Sequence, residues 1–427
     1  MGRKLTALEE ALEFLFARTT GPYKFGLERT ETLLAALGNP HRTYPVLHVG
    51  GTNGKGSSLA TAEALLLARG LRVGKYTSPH LVDFRERILV DRTPIDGETV
   101  VRFVDRWTPL VEQIGATFFE ATTAMAFESF ARERVDVALI EVGLGGRLDS
   151  TNVVDPLSAG VTSIGWDHME YLGHSLDAIA LEKAGIFKPG RPAVIGESSP
   201  EIRDTLKLRA LERGARPLIV HELMAMGDID VGAQGTTVEV RFGDERQALT
   251  TPLTGRHQAH NLVFTLALLH AAGERYAFTL EEAARHLASV SIPGRFQRSG
   301  RYIFDVAHNA DGARVLADTL RSVAPPRPIK AVFCALRDKE WREMLLALAP
   351  EVDELVLTNA PTAPASRAWS LEDGGEFLRR VNARGRLAET LDEALVATAD
   401  AATVVVTGSF HTVGDAMAQL HLSPLGS

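Results

Sequence analysis

Val49-Gly50-Gly51-Thr52-Asn53-Gly54-Lys55-Gly56-Ser57-Ser58 decides how this chain is read. An apolar run, 44–49, precedes it, and a helix-forming run, 59–69, follows and stops at Gly70. Strand, glycine-rich turn with one lysine and a hydroxyl, then helix is the layout of a phosphate-binding loop. Glycines let backbone N–H groups close round anionic oxygens, and the helix N-terminus adds partial positive charge. Thr52 to Ser58 are therefore the candidate nucleotide contacts. Lys55 can reach the outer phosphates, and Ser57 or Ser58 can ligate Mg²⁺. Gly56 stands between lysine and serine, unlike the usual GxxxxGK[ST] spacing. A plain glycine-rich surface turn is the alternative, and it leaves the strand, lysine, hydroxyl and helix as coincidences.

Outward from this loop, strand and helix patterns alternate. Residues 71–76 read as a strand ending in Thr77-Ser78-Pro79-His80-Leu81, a polar turn placed as a candidate substrate loop. Helices are expected at 98–114 and 120–134. The run 135–142 is a buried strand carrying Glu141 near its end, followed by Gly143-Leu144-Gly145-Gly146-Arg147. A carboxylate at the end of a core strand needs a partner. In a nucleotide-binding sheet that partner is Mg²⁺, and the alternative is a cap on its own glycine loop. Asp149 and Asn152 follow in a polar patch that can face the same crevice. The strand 157–164 ends in Gly165-Trp166-Asp167-His168, which puts His168 past a strand end as a metal or substrate group. A helix, 176–186, carries Lys183. Strands at 193–196 and 217–220 complete a doubly wound, mostly parallel sheet.

A hairpin is expected from 237–242 and 247–250, then helices at 262–272 and 281–290. Ser291-Ile292-Pro293-Gly294-Arg295-Phe296 punctuates the chain. The expected domains are therefore 1–293, holding the phosphate loop, and a smaller α/β domain, 294–427, with strands at 302–309, 331–335, 354–358 and 402–407. A helix is also expected over 1–16, broken by the glycine and proline of 21–26. The 427 residues are 45% hydrophobic and 23% charged with a formal net charge of -8, which argues against a basic nucleic-acid binder. One cysteine, Cys334, excludes an intrachain disulfide framework and fits a reducing compartment. With no signal peptide and no bilayer-length apolar run, the expectation is a cytoplasmic protein without membrane or nucleic-acid partners.

The ordered set Gly51-Thr52-Asn53-Gly54-Lys55-Gly56-Ser57, Thr77-Ser78-Pro79-His80-Leu81, Glu141 to Arg147 with Asp149 and Thr151-Asn152, Asp167-His168, Glu182-Lys183-Ala184-Gly185-Ile186, Pro293-Gly294-Arg295 and Asp305-Val306-Ala307-His308-Asn309 resembles the folylpolyglutamate synthase and bifunctional dihydrofolate synthase family of the Mur ligase superfamily. The resemblance covers nearly the whole chain. It implies an ATP-dependent amide ligase. A substrate carboxylate takes the γ-phosphate of ATP, and L-glutamate displaces phosphate from the acyl phosphate. The implied acceptors are dihydropteroate and reduced folates. Matching positions put Ser78, Glu141 and His168 in the metal shells, with Mg²⁺ in one or two sites and K⁺ allowed. Lys183 matches a lysine that is often carbamylated. Asn261, Arg295 and Asp305 match nucleotide contacts, and His308 lies near the glutamate and acyl phosphate. Phe119 and Thr122 fall where the family lines a pterin pocket. The family's habit points to a monomer.

Three other readings fit the same residues. A monofunctional folylpolyglutamate synthase would extend tails only. A Mur-type ligase of peptidoglycan synthesis is disfavoured by the Gly56 spacing, the Ser78-Pro79-His80 loop and the early start of the ATP domain. A non-catalytic nucleotide switch would be marked by loss of Lys55, Glu141 or His168, and all three are present.

Overall fold

A computed structural model describes residues 5–19 and 26–424. The first residues of the expected 1–16 helix and most of its 21–26 breaker lie outside them. The helix itself runs Ala7–Phe16 and is opened by a capping box between Thr6 and Glu9.

The larger sheet has eight strands: β1 (Val46–Gly50), β2 (Val73–Tyr76), β3 (Ile88–Val90), β4 (Thr93–Pro94), β5 (Val137–Glu141), β6 (Ser158–Val161), β7 (Pro192–Ile195) and β8 (Arg216–Ile219). Their spatial order is β4-β3-β2-β5-β1-β6-β7-β8. Neighbours from β2 to β8 run parallel, while β3 and β4 add an antiparallel edge. Both faces are buried, which is why the strands read as unbroken apolar runs. Along β5, Val137 and Leu139 join one core while Ala138 and Ile140 join the other, as a period of two requires. The first core packs the Lys55–Ala68 and Arg256–Ala271 helices, and the second packs Gly97–Gln113 and Phe118–Arg132.

The register aligns Val49 with Glu141 and Gly50 with Val161. The phosphate loop, the Glu141 carboxylate and the segment after β6 therefore leave the sheet at one carboxyl edge. β6 stops at Val161, short of the expected 164, because Thr162 turns its hydroxyl onto the carbonyls of Gly50 and Asn53. The helix after the loop begins at Lys55 and not at 59, since Gly54 at φ 91 makes the turn in one residue. That brings Lys55, Gly56 and Ser57 into the first turn, where N–H groups lack intrahelical acceptors.

The expected hairpin is two strands of a three-stranded sheet, β9 (Ala225–Gly232), β10 (Gly235–Phe242) and β11 (Glu245–Thr251). β9 escaped notice because Ala-Met-Gly-Asp-Ile-Asp-Val-Gly is half exposed and rich in turn residues. A further helix beyond those expected, Pro200–Glu212, buries Ile202, Leu206 and Ala210 along one face.

The second sheet comprises β12 (Gln297–Ser299), β13 (Tyr302–Phe304), β14 (Ile329–Phe333), β15 (Glu354–Leu357), β16 (Gly385–Leu387) and β17 (Thr403–Thr407), ordered β12-β13-β17-β14-β15-β16. β13 ends at Phe304, five residues before the expected end at 309. Asp305 turns back there to accept from the N–H groups of Phe296 and Ala307, and Asn309 caps the Ala310–Val323 helix.

Gly160 of β6 leaves room for the Phe264 ring, which an added Cβ would meet at 2.5 Å. Gly160→Ala is expected to cost about 1–3 kcal/mol of stability through overpacking. Thermal unfolding checks this, and an unchanged midpoint would show that Phe264 yields freely.

Candidate active site

The phosphate loop is fastened from below by the strand next to it. Thr52 N–H donates to the Ser163 carbonyl at 2.7 Å, and Thr52 Oγ1 accepts from Gly165 N–H at 3.0 Å. Asn53 N–H donates to Ser163 Oγ at 3.3 Å. Gly51 lies so close to Thr162 Oγ1, and Gly54 to Asn261 Oδ1, that a Cβ at either would collide. Asn261 reaches this point from the Arg256–Ala271 helix and donates to Gln258 Oε1 at 3.0 Å.

Two lysines converge on the loop. Lys55 Nζ donates to the carbonyls of Gly51 (3.0 Å) and Thr52 (3.1 Å), and Lys183 Nζ donates to Gly51 at 3.0 Å. Lys183 is buried, and burial first, then the charge of Lys55, lowers its pKa to about 7. Glu141 is buried 3.9 Å from the Lys55 ammonium and accepts from Ser78 N–H at 3.3 Å. Burial pushes its pKa up against the opposing pull of Lys55 and that N–H.

The facing wall belongs to the second sheet's half of the chain. Arg295 lies 5.2 Å over the Phe410 ring, near Asp305. His308 Nδ1 lies 3.2 Å from the Val306 carbonyl, and its Nε2 lies 3.6 Å from Asp167 Oδ2. His168 Nε2 lies 3.6 Å from the same oxygen. Burial lowers the His168 pKa to about 3, so its imidazole is neutral at pH 7. Asn309 Nδ2 approaches Asn53 Oδ1 at 3.4 Å across the gap.

Between the walls is a cleft of about 450 Å³. Thr52, Asn53, Gly54, Lys55, Gly56, Ser57, Ser78, Pro79, Glu141, His168, Lys183, Asn261, Arg295, Asp305 and His308 all line it. A second cavity, about 710 Å³, is lined by Phe118, Phe119, Asp149 and Ser150. Leu144 and Gly145 line both, so one glycine loop is their shared wall.

Four expected contacts lie elsewhere. Ser58 is buried within the loop helix itself. His80 Nδ1 takes the Arg87 Nε–H at 2.7 Å. Thr122 Oγ1 sits 3.0 Å from the Tyr76 hydroxyl, and Asn152 Nδ2 donates to the carbonyls of Arg147 and Gly185. The polar groups of His80, Thr122 and Asn152 serve the protein's own scaffold. Asp149, though at the second cavity, likewise accepts from the N–H groups of Leu144 and Thr151. Conversely, His257, His260 and Phe410 line the cleft without having been singled out as site residues. The polar runs 255–261 and 408–411 were the available signals.

Among the described residues, no group of three or more His, Cys, Asp and Glu is arranged to hold a metal ion by itself. The donor set nonetheless suits Mg²⁺, which takes one or two carboxylates and completes its octahedron with phosphate and water. Glu141 supplies the carboxylate, and Ser57 and Ser78 add hydroxyls on the same cleft.

Residues 49–269 match the Mur ligase middle domain, and 294–410 match the Mur ligase, glutamate ligase domain. The dihydrofolate synthase/folylpolyglutamate synthase of Bacillus subtilis is 36% identical over 87% of this chain and 90% of its own length. The Mycobacterium tuberculosis folylpolyglutamate synthase complexed with ADP superposes with a TM-score of 0.88 at 33% identity, covering 98% of this chain and 99% of that one. A bifunctional folylpolyglutamate synthase/dihydrofolate synthase from Yersinia pestis, complexed with AMPPNP and Mn, gives a TM-score of 0.84 at 33% identity over 98% of this chain and all of the other. Sequence and fold agree over nearly full length, and the chain belongs to the dihydrofolate synthase/folylpolyglutamate synthase family of Mur ligases.

Proposed function

We propose that this protein is an ATP-dependent ligase that joins L-glutamate to dihydropteroate and to reduced folates. The cleft carries this reading: a phosphate loop with Lys55 and Glu141 on one wall faces Arg295, Asp305 and His308 on the other. The adjoining aromatic cavity behind Leu144-Gly145 suits a flat heterocycle whose carboxylate end points toward the loop.

In the first step the acceptor carboxylate attacks the γ-phosphorus of ATP, ADP leaves, and an acyl phosphate forms. In the second the amine of glutamate attacks the acyl carbon, phosphate leaves, and the amine loses a proton. Lys55 and the first-turn N–H groups neutralise charge on the phosphates. Relatives hold a nucleotide and a divalent metal, and here Glu141, Ser57 and Ser78 would hold Mg²⁺, with His168 beside it; the ion supplies further charge neutralisation on the phosphates. A second ion or K⁺ belongs to the same proposal. Arg295 and Asp305 hold the nucleotide from the second domain, taken to start at 294. His308, on the same wall, would stand near the glutamate and the acyl phosphate. Closing both walls excludes water that would hydrolyse the acyl phosphate.

One chain supplies both walls, which supports a monomer, and a cytoplasmic setting supplies all three substrates. No helix among the described residues is long and apolar enough to cross a membrane.

Purified protein given ATP, Mg²⁺ and L-glutamate with dihydropteroate, or with a tetrahydrofolate, is expected to make both amides by mass. Product from the folate alone would restrict it to tail extension, and product from neither would reject the reading. Lys55→Ala is expected to lower kcat at least about 100-fold with the melting curve preserved; wild-type turnover would remove Lys55 from the mechanism. Lys183 has a third test. Its lowered pKa leaves about half the amine neutral near pH 7, and that half grows as pH rises. The neutral amine can take CO₂ and release a proton to become a carbamate. ¹³C-bicarbonate should label Lys183 more at about pH 8 than at about pH 6, and Lys183→Met should abolish the signal. No label at the higher pH would refute carbamylation.

A further inference from the structure

Lys339 belongs to the polar run Arg337-Asp338-Lys339 at the end of β14, which the ligase chemistry above leaves without a task. Its ammonium crosses the cleft and donates to Asp167 Oδ1 at 2.6 Å. Both side chains are buried, at 9% and 8% exposure. The lysine is held on a stiff loop. Arg367 clamps neighbouring Asp338 through two hydrogen bonds, Arg337 N–H donates to the Arg367 carbonyl, and Lys339 N–H donates to that of Leu336.

Asp167 passes this anchorage on. The oxygen that takes Lys339 also accepts from His168 N–H at 3.0 Å. His168 sits at φ 50, a left-handed conformation that a non-glycine residue keeps only when its surroundings impose it. The other oxygen, Oδ2, lies 3.6 Å from both His168 Nε2 and His308 Nε2, one imidazole from each wall.

We infer that Lys339 is a positioning residue for the ligase reaction. By binding Asp167 across the cleft, it sets the register of the two walls and the orientations of His168 and His308. The inference rests on the ligase reading above. A buried ion pair adds little net stability, because desolvation offsets attraction, but it penalises every arrangement that buries one charge without the other. With the cleft open, both groups are hydrated. With it shut, only one register pairs them. The pair thus selects a geometry instead of deepening the fold. Lys339 touches no reacting atom, so its loss acts through Asp167.

The test compares Lys339→Met, Lys339→Arg, Asp167→Asn and the double variant Lys339→Met/Asp167→Asn. Each is assayed for kcat, for acceptor binding and by hydrogen exchange at residues 168–172. Lys339→Met is expected to lower kcat roughly 100-fold, the scale of a small misplacement of reacting groups, with acceptor affinity within about twofold and faster exchange at 168–172. Lys339→Arg restores most of the rate. Adding Asp167→Asn to Lys339→Met costs nothing further, since the unpaired charge is gone. An unchanged kcat in Lys339→Met, losses that multiply in the double variant, or an equal fall in acceptor affinity would each overturn the proposal. Failure of the ligase reading looks different: the unaltered protein would make no amide at all.

Discussion

Two ammonium groups, from Lys55 and Lys183, meet at the carbonyl oxygen of Gly51, and the rest of the site follows from the cost of that meeting. Like charges held close in a buried place repel unless something anionic joins them. Glu141 answers in part at 3.9 Å, and burial first, then the Lys55 charge, loosens the proton of Lys183. The remaining excess of positive charge is what a polyphosphate wants. The loop can stand it because Thr52, Asn53 and Thr162 fasten the backbone by hydrogen bonds that do not depend on any ligand.

The second domain supplies what the first cannot. A phosphate loop at a sheet edge is open to water on one side, and an acyl phosphate there would hydrolyse. Arg295, Asp305 and His308 form the missing wall, and Asn309 and Lys339 reach across to Asn53 and Asp167. The glycine loop after β5 then joins the phosphate cleft to the aromatic cavity, with Leu144 and Gly145 shared.

Much of this was legible beforehand. The parallel sheet, the loop helix and the second α/β cycle all showed in apolar runs, because strands buried on both faces leave an uninterrupted signal. β9, half-exposed, and the edge strand β16, exposed at every residue, left none: such strands borrow their structure from neighbours and carry turn residues without penalty. At the site, Glu141 and His168 stood out by their place at strand ends. Thr122 and Asn152 looked the same in sequence as cavity residues, yet their partners are a tyrosine hydroxyl and two carbonyls that only folding brings near.

The sequence by itself determined the chemistry on offer: a lysine and glycines between a strand and a helix, a carboxylate ending a core strand, histidines past strand ends, and polar runs after β13, β14 and β17. These are local facts, set by residue type and spacing along a few turns of chain. Only the tertiary structure decided which of these groups act together. Lys339 and Asp167 are separated by 172 positions and meet at 2.6 Å. Neither has a local feature that names the other, because an ion pair across a domain boundary depends on where two independently built sheets come to rest.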